Sequence, residues 1–147
     1  MNQAERAELL EQIEKWNDAD EFARCIEAIE AIPEQERDYL LTLKLGRAYS
    51  NLAVLGDRGA LGENAEVDGD LLRHAIDLLE SVRTQGENDP YWNARMGYSC
   101  LMAYSSAATA YEYAKRWLSL APDDIDAQNL VRDCEEYLEE ENSLELD

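Results

Sequence analysis

Apolar residues recur along this chain at the three-and-four spacing of helix faces, and no stretch alternates in the manner of a strand. Leu9, Leu10, Ile13 and Trp16 mark a first face, and Phe22, Cys25, Ile26, Ile29 and Ile32 a second. Between them, Asp18 with Glu21 three residues later has the form of a capping box. Pro33 stops the second helix. A longer helix over about 36–55 carries Leu41, Leu45, Ala48, Tyr49 and Leu52 on one side. The stretch 56–70 holds Gly56, Gly59, Gly62 and Gly69, lacks periodicity and reads as a loop. Leu71, Leu72, Ala75, Ile76, Leu79 and Val82 restart the helical pattern, and Gly86-Glu87-Asn88 closes it. Asp89-Pro90 is a helix start, with Asp as N-cap and Pro in the first helical position. Two further helices run over about 90–103 and 107–120. Pro122-Asp123-Asp124 opens the last one, with Ala127, Leu130, Val131, Cys134, Tyr137 and Leu138 on one side. The pattern predicts an all-α chain of about seven helices.

Within these helices one motif returns. Leu45-Gly46-Arg47-Ala48-Tyr49 is followed by Ala75-Ile76-Asp77-Leu78-Leu79. Met96-Gly97-Tyr98-Ser99-Cys100 is followed by Ala110-Tyr111-Glu112-Tyr113-Ala114, then Trp117-Leu118 and Pro122. A small residue at a fixed point in each of two successive helices lets their backbones approach closely. The chain thereby resembles the tetratricopeptide repeat (TPR) family, whose unit is about 34 residues. The resemblance is strongest from Asp89 to Pro122. From Gly46 to Ala75 the spacing exceeds the usual one by about 17 residues, an insertion shared between a longer first helix and the Gly-rich loop.

The resemblance implies a single domain, 1–147, in a right-handed superhelical stack. Its parts are a degenerate hairpin at 1–33, a second at 36–86 with the insertion 56–70, a third at 89–121, a capping helix at 123–141 and an acidic tail at 142–147. It also implies that the first helix of each hairpin lines a concave, partner-binding face. On that frame Leu40, Leu43, Lys44, Arg47, Ser50 and Asn51 point into the groove from the second hairpin. Tyr91, Ala94, Arg95, Tyr98, Leu101 and Met102 do so from the third. Lys44, Arg47, Asn51, Tyr91, Arg95 and Tyr98 are the expected partner-binding residues.

Charge sharpens this expectation. The chain has 33 acids against 13 bases, a formal net charge of -20. That balance disfavours nucleic acid and anionic membrane as partners and favours a monomer or weak dimer. The twelve groove positions contain no acid, although the average density of 33 in 147 would put about three there. Lys44, Arg47 and Arg95 would then make a positive furrow suited to an acidic segment or a free C-terminus. The competing reading pairs these cations with Glu8, Glu11 or Glu14 of the first hairpin.

Candidate chemistry is sparse. His74 is the lone histidine, and Cys25, Cys100 and Cys134 lack metal-ligand spacing. They are expected to be buried free thiols in a reducing cytoplasm. The loop Glu63-Asn64-Ala65-Glu66-Val67-Asp68-Gly69-Asp70 lacks the spacing of a calcium loop, and Asp68 or Asp70 is better read as the cap of the next helix. No cofactor or metal is expected, nor catalysis. Met1-Asn2-Gln3-Ala4-Glu5 does not read as a signal peptide, and no apolar run has the length of a membrane span. Trp16, Trp92 and Trp117 are expected to pack between helices, with Trp92 half exposed, and Tyr104, Tyr111 and Tyr113 to pack as well. The expectation is a non-catalytic module for protein binding. Its alternatives are a chaperone holding one client, similar to small acidic three-repeat TPR chaperones of bacterial secretion systems, and a structural module that makes contact through the Gly-rich loop.

Overall fold

The structure, a computed structural model, describes residues 1–61, 66–104 and 106–145, without the side chains of Tyr104 and Glu145. The readings made above for Gly62, for Glu63-Asn64-Ala65 and for the ring of Tyr104 lie outside these residues. Among the described residues there is no strand, and eight α-helices follow one another. They are α1 (Gln3–Asp18), α2 (Phe22–Glu30), α3 (Tyr39–Leu55), α4 (Gly69–Glu80), α5 (Arg83–Gly86), α6 (Pro90–Tyr104), α7 (Ala107–Leu120) and α8 (Ile125–Glu145). The one-turn α5 is the element that periodicity does not reveal, since four residues are too few to show a period. The final helix continues through 142–145, where an acidic tail was expected.

The chain divides into two compact units, Met1–Leu78 and Leu79–Asp147. In the first, the capped start of α1 is Asn2, whose side chain accepts from the Glu5 amide at 2.8 Å. Ile13 of α1, Cys25, Ile26 and Ile29 of α2, and Leu41, Leu45 and Ala48 of α3 form the buried core. Leu9, Leu10, Trp16, Ile32, Tyr49, Leu52 and Leu78 pack around it. Asp38 caps α3 by accepting from the Leu41 amide at 3.0 Å and holds Arg6 of α1 through Nε at 3.0 Å. Asp68 caps α4, accepting from the Leu71 amide at 3.1 Å, as the sequence suggests.

The capping box expected at Asp18 and Glu21 does not form. Asp18 is the last residue of α1, and Glu21 makes no side-chain cap on α2. The cap comes instead from Asp57, whose Oδ1 accepts from the Ala23 amide at 3.1 Å. The neighbouring Arg58 donates from its backbone to the Asp20 carbonyl at 2.8 Å and from its guanidinium to Glu21 at 3.1 Å. The start of the Gly-rich stretch is therefore a 3₁₀ turn, Asp57–Gly59, seated on the N-terminus of α2. Asp57→Ala is expected to lose about 1 kcal/mol, the usual worth of an N-cap. Thermal melting would read this as a fall of a few degrees, largely restored by Asp57→Asn; an unchanged midpoint would show that the cap carries no stability.

In the second unit, Trp92, Met96 and Cys100 of α6 are buried with Ala107, Ala110, Ala114 and Trp117 of α7 and Ala127, Leu130 and Cys134 of α8. The small side chains of α7 allow α6 to come close. A Cβ placed on Gly97 would lie 2.9 Å from Leu130 Cδ2 and 3.8 Å from the Ala110 carbonyl oxygen. Asp89 takes the Tyr91 amide at 2.9 Å at the start of α6. Asp124 takes the Asp126 amide at 2.9 Å at the start of α8.

Trp92 is not half exposed but wholly buried. Its indole Nε1 donates to the Leu79 carbonyl at 2.8 Å, and the missing side chain of Gly86 leaves space for the ring. Asn93 beside it is also fully buried, and its Nδ2 ties the Glu87 and Asp89 carbonyls at 3.0 Å each.

Candidate interaction surface

In the first unit, Lys44, Arg47 and Asn51 share one stripe of α3, and Glu14 and Asn17 face them from α1. Glu14 receives Lys44 at one oxygen. Arg47 reaches the same carboxylate with two nitrogens, at 3.2 and 2.9 Å. Asn51 Nδ2 donates to Asn17 Oδ1 at 3.2 Å. The side chains of Lys44 and Arg47 are only 15% and 17% exposed, against 43% for Glu14. Burial pushes the Glu14 carboxyl upward, but hydrogen bonds from Arg47 and Lys44 and their positive field outweigh it and hold the carboxyl below its ordinary range. The stripe is thus a polar seam between two helices of one unit.

Tyr91, Arg95 and Tyr98 lie on α6 in the second unit, and Met102 continues their line one turn further on. Tyr91 is 72% exposed and Met102 43%. Tyr98 is more than a third exposed and sets its ring edge-on to Trp117, with centroids 5.8 Å apart. Burial pushes its phenol upward, Asp126, Asp124 and Asp133 add to that, and Arg95 opposes it. About one turn further along α6, Leu101 and Met102 line a cavity of about 310 Å³ with Ala107, Tyr137 and Glu141. Three positions of the expected groove face inward instead: Leu43, Ser50 and Ala94 are buried. On α6 the exposed arc is centred on Tyr91, Arg95, Tyr98 and Met102, and Ala94 sits at its edge, where the helix turns toward the packed side.

One cluster has no counterpart in the sequence reading. Arg83 of α5 donates to Glu80 from Nε at 2.8 Å and to the Tyr113 hydroxyl. Its guanidinium also lies 5.0 Å over Trp92 and 5.5 Å over Tyr113. The hydrogen bond from Arg83 exceeds the effect of burial and keeps Glu80 below the ordinary carboxylate range, while Arg83 is pushed upward. The Glu80–Arg83 spacing is visible in sequence as an i,i+3 ion pair; the two rings that the cation meets come from α6 and α7 and are not.

Elsewhere the reactive groups are quiet. Burial pushes Cys100 and Cys134 up to about 11 and raises Cys25 as well, which disfavours the thiolate nucleophile. His74 meets Tyr49 edge-on at 4.5 Å, and Tyr49 donates to Glu30 at 2.9 Å. Among the described residues, no three His, Cys, Asp or Glu side chains gather as a metal site, and no helix is long and apolar enough to cross a membrane.

Compared with known proteins, the chain matches no family model, none of the curated proteins and none of the solved structures.

Proposed function

We propose that the chain is a non-catalytic protein-interaction module whose helix pairs stack as in TPR proteins and which takes a peptide or protein segment along α6. The observation that carries this reading is the stripe Tyr91, Arg95, Tyr98 and Met102. Three of its four side chains are large, partly apolar and more than a third exposed. Tyr and Arg are the side chains most enriched where proteins bind one another tightly, and Met adapts to varied shapes. The tight seat of Gly97, where a Cβ would come within 2.9 Å of Leu130 on α8, supports the close helix packing that the repeat frame expects. Buried free thiols suit a reducing compartment, and we place the protein in the cytoplasm.

Affinity capture from a lysate of the source cells tests the module. Wild-type protein is expected to retain a specific partner that Tyr91→Asp with Tyr98→Asp loses, at an unchanged melting temperature. Equal retention by both proteins would remove the stripe from any binding role.

A further inference from the structure

The α6 stripe runs into a groove whose chemistry specifies its occupant. Leu101, Met102, Ala107 and Tyr137 give the groove an apolar floor of about 310 Å³, and Glu141 stands at its edge. One wall is α8, whose Tyr137 and Glu141 line the groove and whose exposed Asp133 stands one turn before Tyr137 on the same helix face. The acids Asp124, Asp126 and Asp133 also act on Tyr98, one turn along α6 from the groove. A second copy of the chain is a poor occupant, because each copy brings a net charge of -20 and the same acids.

We infer that the groove between α6 and α8 binds a basic amphipathic segment of another protein, with an aliphatic or aromatic side chain seated between Met102 and Tyr137 and Lys or Arg directed at Asp133 and Glu141. This inference rests on the interaction reading of α6 and reverses the charge of the segment that the Lys44–Arg47 furrow would select. The apolar floor supplies an anchor, and the acids supply attraction and orientation. Apolar area alone would accept an acidic segment equally well. The acid rim rejects it, because like charges placed side by side cost several kcal/mol.

Fluorescence anisotropy with the full chain and three labelled amphipathic peptides tests the inference. The peptides share one Leu/Trp pattern and differ in carrying Lys, Glu or Gln on the polar face. The Lys peptide is expected to bind at least about tenfold tighter than the Gln peptide, and the Glu peptide not at all. Met102→Ala with Tyr137→Ala is expected to weaken the Lys peptide by about tenfold or more, and Asp133→Lys with Glu141→Lys to abolish the preference for it. These residues are not buried, so circular dichroism should remain that of the parent. Binding of the Lys peptide that ignores Met102 and Tyr137 would be bulk electrostatics and would overturn the groove. Tighter binding of the Gln or Glu peptide, still sensitive to Met102 and Tyr137, would overturn the basic partner yet leave the interaction module standing. Binding of no peptide, together with failure of the Tyr91 and Tyr98 substitutions to alter capture, would overturn both.

Discussion

Gly86→Ala is expected to destabilise the second unit by about 3 kcal/mol, although alanine is the better helix former. A Cβ at this position would lie 2.3 to 2.5 Å from Cγ, Cδ1 and Cδ2 of Trp92. The ring has no room to yield. It is fully buried, its Nε1 is bonded to the Leu79 carbonyl, Arg83 lies over one face and Tyr113 stands edge-on at 5.7 Å. Either the indole swings out and forfeits these contacts, or α5 withdraws and the turn held by Asn93 opens. The helix propensity gained by replacing glycine is about 1 kcal/mol and works against this cost without cancelling it. Denaturant unfolding with near-ultraviolet circular dichroism reads both the free energy and the tryptophan environment. A double-mutant cycle isolates the cause: in a Trp92→Leu background the same substitution should cost little. Equal stability of the Gly86→Ala variant and its parent would show that the seat is softer than its geometry.

That glycine also marks how far the sequence could be read. Helix faces are legible because burial imposes a period on the residues themselves: Phe22, Cys25, Ile26 and Ile29 are spaced as α2 buries them. Local caps are legible for the same reason, since Asp89 and Asp68 act within three residues. What depends on distant parts of the chain is not. Asp57 caps a helix whose first turn lies 34 residues earlier, so the nearer Asp18 and Glu21 look like the better cap. Gly86 reads as a helix terminator, yet its structural role is to admit a ring from the next helix. The candidate surface divides along the same line. The exposure of Tyr91 and Tyr98 follows from their register on α6. Whether Lys44 and Arg47 face a groove or an acid depends on how α1 sits against α3, which no local pattern encodes.

That last contact gives the second large effect. Glu14→Lys is expected to cost about 3 kcal/mol and Glu14→Gln about 1–2 kcal/mol. Removing one member of a fully buried ion pair costs about 3–5 kcal/mol because the other charge is stranded. Lys44 and Arg47 are largely buried, but Glu14 is 43% exposed, and solvent reaching it lowers the penalty for neutralisation. Charge reversal restores the larger figure by setting three cations together. The pH dependence has a fixed sign. The folded carboxyl lies below its ordinary value of 4.5, so its contribution is complete above that pH and is lost as pH falls through the depressed folded value. Urea unfolding of the parent and of Glu14→Gln should therefore differ at pH 7 and converge in strong acid; a gap that persists unchanged at low pH would assign the loss to packing. The same variant separates the two charges of partner. An acidic peptide that uses Lys44 and Arg47 must first displace the Glu14 carboxylate, so Glu14→Gln would strengthen its binding. A basic segment held by Asp133 and Glu141 would bind the variant with unchanged affinity, because neither of its contacts involves α1 or α3.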